Sequence, residues 1–230
     1  MTDRKTLVLS DIHFPFENTN ALHRAMELGV KEKVEQIILL GDIIDFHSIS
    51  RFKKDPQSRN LKKELQRTRQ FFFRLRHLFP KAKIVFMAGN HELRLTAYLW
   101  DKAEEFSDLE ELTLASLLHF KKYDIINNVK DTLKIGDLTL LHGHTLKGTL
   151  STYPSRTGYI AAKTSILFGH CHRASFYETR DVNNKTYKSY SLGCLCQLSA
   201  DYSIHNEWTA GCALVTLKGN GRANVQLVSL

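Results

Sequence analysis

A chain of 230 residues, 43% hydrophobic and 24% charged, is long enough to bury a full core, and its four Pro and twelve Gly form no linker-like or low-complexity stretch. One domain over residues 1–230 is expected. Residues 1–5 lead straight into a short apolar run, and no later apolar run approaches membrane-spanning length, so neither a signal peptide nor a membrane span is expected and the chain reads as cytoplasmic. Four cysteines (Cys171, Cys194, Cys196, Cys212) are too few for a disulfide scaffold, and Cys194-Leu195-Cys196 lacks the spacing of a zinc knuckle, so all four read as reduced.

The net charge of +8 is concentrated. Between Arg51 and Lys83 stand twelve Lys or Arg against two acids, Asp55 and Glu64, while the rest of the chain holds 20 basic and 22 acidic residues. The basic character belongs to one segment.

In chain order, Leu7-Val8-Leu9 reads as a buried strand followed at once by Ser10-Asp11-Ile12-His13. A helix is expected over residues 20–30, with Ala21, Leu22, Ala25, Met26 and Leu28 as its apolar face. Ile37 to Leu40 is the second strand, and Gly41-Asp42-Ile43-Ile44-Asp45 follows it. The next helix runs from about Arg59 to Phe79, with Leu61, Leu65, Phe72, Leu75 and Phe79 at helical spacing and Pro80 as its stop. Ile84 to Met87 is the third strand, ahead of Ala88-Gly89-Asn90-His91-Glu92. A third helix is expected from Ser107, where Ser107-x-x-Glu110 has the form of a capping box before Leu112, Ala115 and Leu118. Leu138 to Leu141 precedes His142-Gly143-His144, and Ile166 to Phe168 precedes Gly169-His170-Cys171-His172. Beyond Arg173, alternation at 176–177, 187–192, 212–217 and 223–228, with a turn at Lys218-Gly219-Asn220-Gly221, reads as strands ending in a hairpin. The fold class is therefore α/β: two packed sheets flanked by helices, the first mostly parallel.

Five times a buried strand is followed directly by metal-binding side chains. Ligands gather at the carboxyl ends of strands because side chains leaving adjacent strands converge there. The candidate ligands are Asp11, His13, Asp42, Asn90, His142, His170 and His172. Carboxylate and amide oxygens suit hard divalent cations, and imidazole adds affinity for Mn, Fe, Zn or Ni over Mg. Two divalent ions are expected, manganese first, with Fe, Zn, Ni or Mg as alternatives. Asp42, the first carboxylate after its strand, is the expected bridge between them.

The set Asp11-x-His13, Gly41-Asp42-x-x-Asp45, Gly89-Asn90-His91-Glu92, His142-Gly143 and Gly169-His170-x-His172 resembles the calcineurin-like metallophosphoesterase superfamily, in the family's order. The resemblance implies a β-sandwich with outer helices. It implies one metal on Asp11, His13, Asp42 and His172, and a second on Asp42, Asn90, His142 and His170. It also implies in-line attack of water on phosphorus, with the cations lowering that water's pKa and neutralising the phosphoryl oxygens. His91 would act from outside the metal shell on the leaving oxygen or the transition state, and Asp45 would fix its tautomer and raise its pKa.

A lone histidine is more often a satisfied polar or surface residue than a ligand, and His23, His47, His77, His119 and His205 are read so. His144 is either a substrate-phosphate contact or a supporting donor. Glu92 is expected to hydrogen-bond nearby backbone, Asp55, Asp101 and Asp108 to sit in turns or caps, and Cys171 to pack.

Protein phosphatases of this superfamily carry Arg after the second Asp of Gly-Asp-x-x-Asp and Gly-Gly after the fourth-motif His. Here those positions hold Phe46 and Gly143-His144, which argues against a protein phosphatase. The basic segment favours nucleic acid or nucleotide as the phosphoester substrate, with Arg59, Lys63 and Arg67 on one helix face as candidate backbone contacts. A phosphomonoesterase is the alternative within the enzyme class; a nucleic-acid-binding protein braced by structural metals is the alternative outside it.

Overall fold

Central strands buried on both faces read as unbroken apolar runs, and here those runs form the inner strands of two stacked sheets. A computed structural model describes residues 3–52, 59–148, 152–199 and 206–230. Strands β1 (Arg4–Leu9), β2 (Gln36–Leu40), β3 (Lys83–Met87) and β4 (Ile125–Asn128) run parallel. Counting β5 (Leu133–Ile135), β6 (Leu138–Leu141), β7 (Ile166–Phe168), β8 (Ser175–Arg180), β9 (Thr186–Ser191), β10 (Gly211–Leu217) and β11 (Ala223–Ser229), the sheet orders are β11-β10-β1-β2-β3-β4 and β5-β6-β7-β9-β8. β10 and β11 form the expected hairpin, closed by Lys218 N–H to Arg222 O at 2.9 Å.

Alternation along each central strand divides the core. Val8, Ile38, Leu40, Val85 and Met87 point inward against Leu138, Leu140, Leu167 and Leu192 of the second sheet. Leu7, Leu9, Ile37, Leu39, Ile84 and Phe86 point outward under helices α1 (Thr19–Lys31) and α2 (Leu61–Leu78). On the far side of the second sheet, α5 (Pro154–Ala162) follows α3 (Leu93–Lys102) and α4 (Leu114–Leu117) in chain order and packs on β8 and β9. The architecture is thus α/β, two packed sheets flanked by helices. Among the described residues no helix is long and apolar enough to cross a membrane.

Three expectations change. The helix expected from Ser107 is instead a pair of 3-10 turns (Glu104–Phe106, Glu110–Leu112) leading to the four-residue α4. Thr113, not Ser107, supplies the cap, its hydroxyl accepting from Ser116 N–H. The turn or cap setting expected of Asp101 is overturned too, because it lies inside α3. Arg59 precedes the N-cap Asn60 of α2, so the helix begins two residues later than expected. Lys53, Lys54, Asp55 and His205 lie outside the described residues.

Candidate metal centre

The loops leaving β1, β2, β3, β6 and β7 meet at one end of the two sheets. They are laced by backbone bonds: Asp11 N–H to Gly41 O, His13 N–H to Asp42 O, and Gly169 N–H to His142 O. To aim their side chains inward, Asp11, His13, Asp42, His170 and His172 take φ between 52° and 68°, in the left-handed region that costs a non-glycine residue about 1 kcal/mol. Two glycines permit the close approach. A Cβ at Gly89 would collide with Asp42 Oδ1, and one at Gly169 with Ser10 Oγ and Asp11 Oδ2.

All seven candidate ligands come together. On one side, His172 Nε2 is 3.3 Å from Asp11 Oδ1 and 3.2 Å from His13 Nε2, which lies 3.8 Å from Asp42 Oδ2. On the other, His142 Nε2 is 3.2 Å from both Asp42 Oδ2 and Asn90 Oδ1, with the His170 ring 5.3 Å from that of His142. Asp42 Oδ2 faces both groups. Donors about 2.1 Å from a cation lie roughly 3.0–3.4 Å from their neighbours in its shell, which the 3.2–3.3 Å separations match, while His13 to Asp42 at 3.8 Å is wider. His13 Nε2 and His172 Nε2 face each other at 3.2 Å, a separation that two ligands of one cation can take.

Around this cluster the chain fixes ring orientation. His142 Nδ1 donates to Leu40 O at 2.8 Å, His13 Nδ1 meets Asp45 Oδ2 at 3.0 Å, and His172 Nδ1 lies 3.8 Å from Cys196 Sγ. Ser10 Oγ donates to Asp11 Oδ2 at 2.6 Å. Each of the three histidine contacts leaves that ring's Nε2 facing the cluster.

Burial opposes every charge here, and the pairings decide the outcome. Desolvation would raise the carboxyl of Asp11, but His172 holds it down at about 2. His142 is pushed up to about 10 against its own burial by Asp42 and Asp11, while burial and His142 lower His170 to about 4. Cys171 is raised to about 11 by burial, so its thiol stays protonated at neutral pH and packs in the outer core.

His91 sits beside the cluster, its Nε2 3.8 Å from Asp42 Oδ2. Its Nδ1 lies 3.0 Å from Asp45 O and 3.3 Å from Asp45 Oδ2. Burial works against a charge on this ring, yet Asp45 and Asp42 raise its pKa, with Arg94 pulling the other way. Asp45 serves two histidines, because the same Oδ2 also holds His13. Arg94, one helical turn beyond His91, donates Nη1 to Asp45 O at 2.8 Å and to Oδ1 at 3.1 Å, and Nη2 to His91 Nε2 at 2.9 Å. Sequence reasoning passed over Arg94, Ser10 and Cys196; for Arg94 the signal was its three-residue spacing from His91 at the start of a helix.

His144 packs near His142 and His170, with ring centroids at 5.5 and 6.3 Å, and its buried Nδ1 has no hydrogen-bond partner. Arg67 pairs with the buried Glu17 in the loop after β1. Arg59 and Lys63 are exposed. Glu64, counted above as an acid offsetting the basic segment, is buried and accepts from His47 N–H and Ser48 N–H, which ties α2 to the loop beyond Asp45.

The profile of the calcineurin-like phosphoesterase family matches residues 4–193. The chain belongs to that family. Among proteins similar to this family member, the Gene 54 protein of Mycobacterium phage L5 is 23% identical over 231 residues, covering 94% of this chain and 90% of that one. The Gene 54 protein of Mycobacterium phage D29 is 22% identical with the same coverage. Vacuolar protein sorting 29 from Cryptosporidium parvum is similar in fold, with a TM-score of 0.50 at 14% identity over 100% of this chain and 99% of that one.

Proposed function

We propose that this family member, acting as one domain over residues 1–230, is a phosphoester hydrolase working with two divalent metal ions on nucleic acid or nucleotides. The observation that carries the reading is Asp42 Oδ2, which faces His13 and His142 at 3.8 and 3.2 Å and so could be shared between two ions. Asp11, His13, Asp42 and His172 would hold one ion, and Asp42, Asn90, His142 and His170 the other, manganese being the first choice.

When bound, such ions lower the pKa of the attacking water and neutralise the phosphoryl oxygens. The chain's own residues do the rest. His91 sits within reach of the cluster, Asp45 orients it through Nδ1, and its Nε2, which accepts from Arg94 Nη2, would carry the proton to the leaving oxygen once released. His144, its ring packed near those of His142 and His170, would contact the substrate phosphate. The nucleic-acid preference rests on the exposed Arg59, just ahead of α2, and the exposed Lys62, Lys63 and Arg74 on that helix, which is tied to the loop beyond Asp45. Four buried, unpaired cysteines suit a reducing compartment, and we place the protein in the cytoplasm.

The test is a hydrolysis panel in added Mn²⁺: a generic diester, a generic monoester, nucleotides, and single- and double-stranded DNA and RNA. Cleavage of diester and polynucleotide is expected. Cleavage of monoesters alone would move the substrate to phosphomonoesters, and no cleavage with metals bound would leave a metal-braced binding protein.

A further inference from the structure

Arginine is costly to bury beside a cluster that will hold two divalent cations unless an anion comes between them. Arg94 is in that position. Its side chain is 20% exposed, Asp45 takes Nη1, and Nη2 spends its hydrogen bond on His91 Nε2, a neutral acceptor that faces Asp42 Oδ2. A guanidinium forms short, directional bonds with phosphate oxygens, far better partners than an imidazole lone pair. Phe46, at the position where protein phosphatases carry their arginine, is fully buried and offers the phosphate nothing. Arg173, next to His172, is taken by Glu207 at 2.6 Å. Asp45 holds the Arg94 fork in place, so little conformational freedom is lost when a ligand arrives.

We propose that Arg94 is a phosphoryl-binding residue, whose Nη2 donates to His91 Nε2 in the substrate-free protein and to a non-bridging phosphoryl oxygen when substrate is seated. The exchange frees the His91 Nε2 lone pair to take up a proton from solvent, which the ring then passes to the leaving oxygen. This inference rests on the phosphoesterase reading, but binding and turnover test the two separately.

The experiment is calorimetric titration of the Mn²⁺-loaded protein with inorganic phosphate, for the parent, Arg94→Gln and Arg94→Lys, with metal content and Tm measured for each. Arg94→Gln is expected to keep its metals and bind phosphate about 10–100-fold more weakly. Arg94→Lys, which keeps the charge without the fork, is expected to fall between and serves alone if the Gln variant does not fold. The same pair is then compared in a His91→Asn background, where the loss should persist, because the contact is with phosphate and not through the ring. Phosphate affinity unchanged by both substitutions, or a loss that vanishes in the His91→Asn background, overturns the proposal. A parent that binds phosphate through Arg94 yet hydrolyses no ester supports this site and overturns the hydrolase reading instead.

Discussion

The carboxylate of Glu92 accepts the backbone N–H of Asp42 at 2.9 Å, fixing the proposed bridging residue from behind. The same carboxylate accepts from Ile43, Ile44 and Gly89 N–H at 2.8, 3.2 and 2.7 Å, so one buried side chain welds the loop after β2 to the loop after β3. Glutamine offers one acceptor oxygen and turns its amide hydrogens toward N–H groups. Glu92→Gln should cost about 1–3 kcal/mol in the metal-free protein and weaken metal affinity about 10–100-fold. Thermal melts with and without Mn²⁺ check this; a variant melting like the parent in both states would contradict it.

His91→Asn should retain its metals and lose about 10²–10⁴ in kcat, the size of a general-acid contribution. Asp45→Asn should not simply imitate it, because Asp45 Oδ2 also holds His13 Nδ1 at 3.0 Å. It is expected to weaken metal binding as well, visible as a higher Mn²⁺ requirement. Unchanged Mn²⁺ dependence would mean that Asp45 acts through His91 alone.

What the sequence showed and what it hid have separate causes. Runs such as Leu7-Val8-Leu9 were legible because both faces of the sheet are covered, and the side chains after them because strand ends converge. Glu92 was legible as a backbone acceptor. Helix α3 was not, because Leu93, Tyr98 and Trp100 are exposed and only Leu95 is buried, so no apolar stripe marks it. α5 was missed although Pro154 stands in its first turn. The left-handed backbone at Asp11 and His172 leaves no trace in residue type, and the double service of Asp45 or the pairing of Arg67 with Glu17 depends on contacts across 32 and 50 residues.

Metal uptake should release protons. In the metal-free protein His142 is raised to about 10, so at pH 7 it is protonated and must lose that proton to bind a metal. At least one proton per chain should appear at pH 7, His172 adding to it because Asp11 raises its pKa against burial, and the share from His142 should decline as pH rises past 10. Calorimetry in buffers of different ionisation enthalpy measures it; metal binding with no proton release at pH 7 would contradict the charge placed on His142.

The basic helix should divide by role. Arg59→Gln with Lys63→Gln should leave Tm unchanged and flatten the salt dependence of polynucleotide binding by up to about 0.7–0.9 in log K against log salt per lost phosphate contact. Arg67→Gln should instead lower Tm, since it strips the buried Glu17 of its cation. Equal effects of the two changes on binding and on Tm would erase the distinction.

The central claim is that two cations bridged by Asp42 drive phosphoester hydrolysis. Its most direct test strips the protein with chelator and returns Mn²⁺ in steps, following bound metal and hydrolysis of a generic diester and a generic monoester together. Activity should be absent at the start and level off at about two ions per chain, and Asp42→Asn should lose most of it because both sites weaken at once. Full activity in chelator, or at most one tightly held ion in excess Mn²⁺, would contradict the account.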